Sequence, residues 1–381
     1  MRKTSLGTGA LGALLLALSC IAPAQAWDRG DVDTFAVVPK LSTGETSVVE
    51  GLTVGPDGNI YVPSFGFNAQ GSVAAGDHSE IFVFTPHGHL LRHLVVQNSS
   101  PHALGLAFSP ALPFVRGVKS LILCDFGGGK ILQVDPFTGD SAVFMTPNAA
   151  NPAPGFNSLT FDRQGNAYIS DSFQSIIWKT PPHGTGNAPG QVWLQDPLLS
   201  QGTGLTPPFG ANGIEFNNAG DILYVANTAF HQIIQIPVAG GVAGKAAVLI
   251  TGINAPDGFA VDRLDNLWIA ANQEDEIVVV DPNARSDVAG VSTVVPKVIA
   301  KLGDFDGVTR DGTPRGLLFP ASPAFSLDGR SLYVTNLALY LPFAGALPAI
   351  DSPWTLKVEH PTVGRIDAVI PRHRREDDKQ P

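Results

Sequence analysis

Cysteine is scarce in this chain: 381 residues contain only Cys20 and Cys124. With Cys20 inside an N-terminal apolar run, no disulfide framework is available, and stability has to come from a large buried core. Cys124 sits in the apolar run Leu121-Ile122-Leu123-Cys124, which suits a buried structural thiol and not a nucleophile. Charge is also sparse, at 15% of residues, and 24 Lys and Arg against 34 Asp and Glu leave a net charge of −10. That balance argues against nucleic acid or an anionic membrane as a partner. Sustained 3.6-residue apolar periodicity is missing, which excludes a helical bundle. The apolar run over 10–22 is too short to cross a bilayer comfortably.

That run has another explanation. Arg2 and Lys3 precede it, and Ala24-Gln25-Ala26 follows as a small-residue cleavage site before Trp27. Residues 1–26 therefore read as a secretory leader, and Ala17 and Leu18 fit a lipidation signal at Cys20 poorly. Its removal leaves 355 residues with a net charge of −12, and the expected address is periplasmic or secreted.

What the chain has in quantity is turn residues, 41 Gly and 31 Pro, spread between short apolar runs. The phrase ANGIEFNNAGDILYVANT over 211–228 reads as strand (213–216), tight turn, strand (222–226), and a comparable phrase occurs six times. The copies begin at Glu50, Gly105, Asn157, Asn212, Asp257 and Ser322. A period near 50 with a hairpin in each unit predicts an all-β, six-bladed β-propeller over 27–370, with four-stranded blades. Outer-strand candidates follow each copy, for example 81–84 with 90–96, 233–237 with 246–250, and 277–281 with 296–300. The sixth unit offers 363–368 and no fourth strand; 35–38, before the first unit, is expected to complete it and close the ring. An insertion over 109–119 separates the first two strands of blade two, and the charged segment 371–381 is expected to be a disordered tail.

Strand direction sorts the loops. The turns such as Pro56-Asp57-Gly58-Asn59 fall on one face, and the long loops over 66–79 and 338–361 fall on the other, beside the residues that open each copy. Four of those opening residues stand four positions before an apolar strand residue: Glu50, Asn157, Asn212 and Asp257. Equivalent positions of a propeller face one channel, so these side chains are expected to converge. Two carboxylates and two amide carbonyls form an all-oxygen set suited to a hard divalent cation, Ca²⁺ above all. Zinc would call for His or Cys.

The six copies, with the phrases Glu50-Gly51, Asn212-Gly213 and Pro256-Asp257-Gly258, resemble the gluconolactonase/senescence marker protein superfamily, related to paraoxonases and diisopropyl fluorophosphatase. The resemblance spans roughly 33–370 and implies a calcium-dependent six-bladed propeller whose Glu, Asn, Asn and Asp ligands are matched by Glu50, Asn157, Asn212 and Asp257. The chain departs from its relatives in carrying Ser158 and Gly51 where acids hold a second, structural calcium in paraoxonase-type enzymes. It also carries Ala321 where some relatives have a polar residue in blade six.

Beside this set, Pro101-His102 is similar to the Pro-His that precedes the blade-two strand of paraoxonases, although the register puts Leu104, not His102, at the marker position. His102 is a candidate general base, and Asp257 a candidate base or direct nucleophile. Phe65, Phe126, Phe173 and Phe230, with the apolar stretch 339–347, form an expected hydrophobic rim that would favour an apolar or aromatic small-molecule substrate. Three function classes fit: a calcium-dependent hydrolase of a lactone or ester, with phosphotriesters as further substrates; a binding platform with a structural metal; and a lyase or synthase.

Overall fold

Short alternating strands separated by Gly and Asp turns cannot bury their apolar faces singly, and they do so here by stacking as blades. The computed structural model describes residues 27–67, 77–202, 208–288, 291–338 and 358–370. Six antiparallel sheets of four or five strands make up the body, and their innermost strands touch in chain order, the last against the first. The fold is a six-bladed β-propeller. The leader, the tail and most of the two long loops (68–76 and 339–357) lie outside the described residues. Among the described residues no helix is long and apolar enough to cross a membrane.

Blade four shows the pattern. Ala211–Phe216 runs innermost, followed outward by Ile222–Asn227, Gln232–Ala239 and Ala247–Thr251. The short strand Val242–Ala243 extends the third strand beyond the sheet, an addition the repeat reading does not contain. Two further ribbons are also extra: Arg285–Val288 with Val291–Val294, and Phe305–Val308 with Pro314–Gly316. The insertion in blade two falls where expected, between Ala103–Phe108 and Leu121–Asp125.

The ring closes as the sequence predicts. Val32–Val37 pairs antiparallel with Thr362–Asp367, so the first strand of the chain is the outermost strand of the last blade. Phe35 packs on Tyr333 with ring centroids 4.5 Å apart. Between neighbouring blades lie separate apolar clusters, one built on Tyr61, Leu106 and Leu123, the next on Phe156, Ile169 and Trp178. Cys124 is fully buried in that second cluster and is a free thiol.

The hairpin turns are held by one recurring device. Asp162 accepts from the Gln164 and Asn166 amides (3.0 and 2.9 Å) and from the Tyr168 hydroxyl (3.2 Å). Asp262 repeats this with Leu264, Asn266 and the Trp268 indole. These are Asx-type turns, and they fix the register of each inner hairpin. Register matters because the inner strand also carries the site.

Candidate metal centre and its surroundings

Glu50 precedes its inner strand, Thr53–Val54, as the sequence pattern suggests, but in the other five repeats the opening residue lies inside the strand. In blade four the inner strand begins at Ala211, one residue before Asn212. Blades two to six share an irregularity at this point. Ala211 pairs with Asn227, yet Ile214 pairs with Val225, so one extra residue is accommodated at Asn212-Gly213. The same shift occurs between Ala103 and Leu106, Phe156 and Leu159, Pro256 and Phe259, and Pro320 and Pro323. A bulge re-aims the side chain it displaces. Nothing in a linear pattern of apolar residues marks it.

Blades two to six thus each set one residue at the bulge, Leu104, Asn157, Asn212, Asp257 and Ala321, and Glu50 takes the corresponding place ahead of the short inner strand of blade one. The backbone after each of them runs against the next blade. A Cβ on Gly51 would lie 2.0 Å from the Leu104 carbonyl oxygen, one on Gly105 2.6 Å from that of Asn157, and one on Gly213 2.4 Å from that of Asp257. Small residues at this position therefore allow the ring to be tight. Glu50, Asn157, Asn212 and Asp257 are all buried, and the two carboxylates sense each other's charge. Asn157, Asn212 and Asp257 occupy consecutive blades, while Glu50 stands between the apolar positions Leu104 and Ala321.

Asn212 and Asp257 are each held by a polar residue just past the second strand of their own blade. Asn212 donates through Nδ2 to the Thr228 hydroxyl (3.0 Å), and Thr228 donates its own hydrogen to the Pro256 carbonyl (2.7 Å). That chain of donors fixes the amide orientation, because a hydroxyl whose hydrogen is used can only accept. The Asn212 amide also hydrogen-bonds the Asp257 carboxylate, which leaves Oδ1 as its free oxygen. Asn272 donates through Nδ2 to Asp257 Oδ2 (3.0 Å) and also to the Pro320 carbonyl. Ser172 on Ala211 (2.8 Å) and Thr335 on the Glu50 carbonyl complete a series of clasps from blade to blade. Thr228 and Asn272, with Ser64 and Ser172, stand directly after the second strand of their repeats, a polar position that four of the six copies share.

Electrostatics tests whether these residues suit a cation. Burial raises the Glu50 carboxyl well above the usual range, and the Asp257 charge raises it further. Burial raises Asp257 as well, against the pull of hydrogen bonds from Asn272, Asn212 and the Gly258 amide. Among the described residues the Glu50 carboxylate has neither a donor nor a cation. Two buried carboxylates facing one another are costly unless they are neutral or share a positive charge. With two amide oxygens beside them, the donor set fits a hard divalent ion. No group of three His, Cys, Asp or Glu placed to hold a metal ion occurs among the described residues, so the set depends on its amides.

His102 lies two residues before Leu104 and outside the ring. Its Nδ1 donates to the Phe65 carbonyl (2.8 Å), and its imidazole stacks on Phe67 at 4.2 Å. That bond leaves the lone pair of the neutral ring on Nε2. None of its hydrogen bonds goes to a ring residue. The expected aromatic rim exists in altered form. Phe65 meets Phe67 at 4.9 Å and Phe126 at 6.4 Å, Phe126 meets Phe173 at 5.5 Å, and Phe173 stacks on Phe209 at 6.0 Å. Phe230 does not belong to it: the side chain is 50% exposed, and it stands one position later in its turn than Phe173, which aligns with Ala229. Phe209 takes that place. The part of the rim predicted over 339–347 lies outside the described residues.

Residues 113–300 match the family described as SMP-30/Gluconolactonase/LRE-like region. The match takes in just under half of the chain, so the propeller is similar to the SMP-30/gluconolactonase-like family over its middle blades. The matched stretch holds Asn157, Asn212 and Asp257, and Glu50 lies before it. Among solved structures, the chain resembles a gluconolactonase from Xanthomonas campestris at 13% identity and TM-score 0.54, covering 91% of this chain and 99% of that one. It resembles the calcium-binding protein regucalcin from Agrobacterium tumefaciens at 17% identity and TM-score 0.54, covering 87% and 94%. A streptogramin B lyase is similar at 15% and 0.52, covering 90% and 99%. Likeness at this identity is a likeness of fold, and the fold hosts more than one chemistry. No curated protein matches the sequence. Family match and fold agree on a propeller of the SMP-30/gluconolactonase-like kind.

Proposed function

We propose that the protein is a calcium-dependent hydrolase of a lactone or ester, with Glu50, Asn157, Asn212 and Asp257 as the ligands of one ion. The observation that carries this reading is the pair of buried carboxylates, Glu50 and Asp257, set in an all-oxygen ring without a counter-cation among the described residues. A bound ion there supplies Lewis-acid polarisation of a carbonyl and compensates the developing oxyanion. Glu50 and Asp257 would balance its charge. Thr228 and Asn272 orient Asn212 and Asp257, so those two ligands are preorganised.

His102 is the general base in this reading: the Phe65 carbonyl holds Nδ1–H, and Nε2 is free to take a proton from water. Asp257, as base or as direct nucleophile, is the alternative within the same site. The aromatic run from Phe67 to Phe209 supports an apolar or aromatic substrate, with phosphotriesters as a further class. The leader over 1–26 supports export, and an N-terminus at Trp27 in protein recovered outside the cytoplasm is the expected result.

The test is turnover of a panel of lactones, aryl esters and phosphotriesters, with calcium and with a chelator, in wild type and Asp257→Asn. Calcium-dependent turnover that the substitution abolishes supports the hydrolase. Calcium-linked stability without turnover across the panel would favour a binding platform with a structural ion.

A further inference from the structure

The channel continues beneath the ring, and its register decides what fills it. Three residues after the ring positions stand Thr53, Ala107, Thr160, Glu215, Ala260 and Ala324. Five of the six are small, so the inner strands leave a cavity of about 420 Å³. At roughly 30 Å³ per molecule, it has room for about a dozen waters. Gly105, Ser158, Gly258 and Ser322, each next to a ring residue, line its upper end. Asp162, Arg163, Asn217 and Asn218, on the hairpin turns, line its lower end. One polar space thus joins the underside of the ring to the hairpin face.

Glu215 is the large side chain in this series. Its Oε1 accepts from the Thr160 hydroxyl (2.6 Å) and the Phe216 amide (3.0 Å), so both donors fall on one oxygen. Among the described residues Oε2 has no partner, and no Lys or Arg pairs with the carboxylate. At the rim, Asp162 sits beside Arg163, whose guanidinium is tied to the Asn218 carbonyl (2.8 Å). Lys179 also approaches Asp162 there and Asp265 holds Asn218, while Glu215 is the carboxyl that lines the channel itself, its pKa raised by burial against the pull of its two donors. The other approach to the ring is of different character. There the described residues form a buried apolar cluster that includes Val48, Phe65, Leu104, Phe319, Ala321 and Leu337. A hydrated divalent ion exchanges its waters for oxygen ligands step by step and finds none on such a surface.

We propose that the hairpin-face half of the channel is the route by which a hydrated divalent cation and water reach the ring, with Glu215 steering the cation along it. The inference rests on the metal reading of Glu50, Asn157, Asn212 and Asp257. It separates two approaches: ion and water from the hairpin face, organic substrate from the face of the aromatic run.

Calcium uptake and release, followed by stopped-flow with a chromophoric chelator, test this without any substrate. Blades two and five are diametrically opposed, so the double substitution Ala107→Leu/Ala260→Leu sets two leucines across the channel. Both rates are expected to fall by the same factor, about tenfold or more, at unchanged Kd, since an obstructed path alters rates and not the equilibrium. Glu215→Gln keeps the channel volume and removes the charge, and guards against a misfolded double variant. It is expected to slow uptake about three- to tenfold at low ionic strength, with the difference fading in high salt. Slowing in the double variant alone would overturn the role of Glu215. Unchanged rates in both variants of a protein that binds calcium would overturn the route and leave the ring intact. A wild type that binds no calcium would overturn the metal reading, and the route with it.

Discussion

Thr228 holds Asn212 by its amide nitrogen, 3.0 Å from the hydroxyl, and thereby decides which atom of Asn212 is left for the channel. The hydroxyl spends its hydrogen on the Pro256 carbonyl at 2.7 Å, so blade four orients its own ring residue and clasps blade five with one side chain. Ring geometry and blade assembly are therefore coupled.

Thr228→Val keeps the shape and removes both bonds. The buried Pro256 carbonyl loses its donor, at a cost of about 1–3 kcal/mol. The Asn212 amide becomes free to turn, and calcium affinity is expected to fall. Chemical unfolding and calorimetric titration read the two effects, and Thr228→Ser should restore both. Unchanged calcium affinity in the valine variant would show that the amide is held by other means.

Asp257→Asn leaves one carboxylate in the ring. Calcium affinity should fall roughly tenfold or more, since affinity at such sites follows ligand charge. The calcium-free variant should be at least as stable as wild type, because Asp257 burdens Glu50 in the absence of an ion. Melting curves with and without calcium measure both, as ligand-linked stabilisation follows RT ln(1 + [L]/Kd). A calcium-induced shift equal to that of wild type would remove Asp257 from the site.

Gly213→Ala tests the tightness of the ring. Its Cβ would sit 2.4 Å from the Asp257 carbonyl oxygen, a backbone atom that yields only if two blades separate. A loss of about 2–4 kcal/mol in chemical unfolding is expected. A variant within 0.5 kcal/mol of wild type, roughly the range of ordinary surface changes, would mean that the inner strands are not locked together there.

Asp275 gives a pH signature away from the ring. Burial pushes its carboxyl up from 3.8 to about 6, against the Phe319 amide that donates to it, with Asp304 and Glu274 adding to the rise. The folded protein thus binds a proton that the unfolded chain releases between about pH 4 and 6. The contribution of this group to stability is present in full below pH 3.8 and is lost as pH rises through about 6. Asp275→Asn remains an acceptor and tolerates the left-handed backbone there, with φ of 52°. The variant should match wild type near pH 4 and exceed it in melting temperature at pH 7.5. A gap that does not change with pH would contradict the assignment.

The repeated hairpins, a closing strand read at 35–38 and found at Val32–Val37, and the polar positions that open four of the repeats are all written in local pattern. Strand, turn and strand recur with a polar residue in one register, and that register survives because a one-residue slip would turn every apolar side chain to the wrong face. Leu104 and Ala321 are legible as the exceptions for the same reason. Tertiary structure decided the rest. The bulge at Asn212-Gly213 is a property of two paired strands, and the clash that requires Gly213 comes from a carbonyl in the next blade. Phe209, from the loop before the inner strand of blade four, and not Phe230, joins the aromatic run by stacking on Phe173. Glu215 reads as an ordinary polar strand residue until five small neighbours, each from a different blade, leave it inside a channel. Side-chain packing between different repeats is not written in the local pattern of any one repeat. Closing the ring brings those repeats within reach of one another.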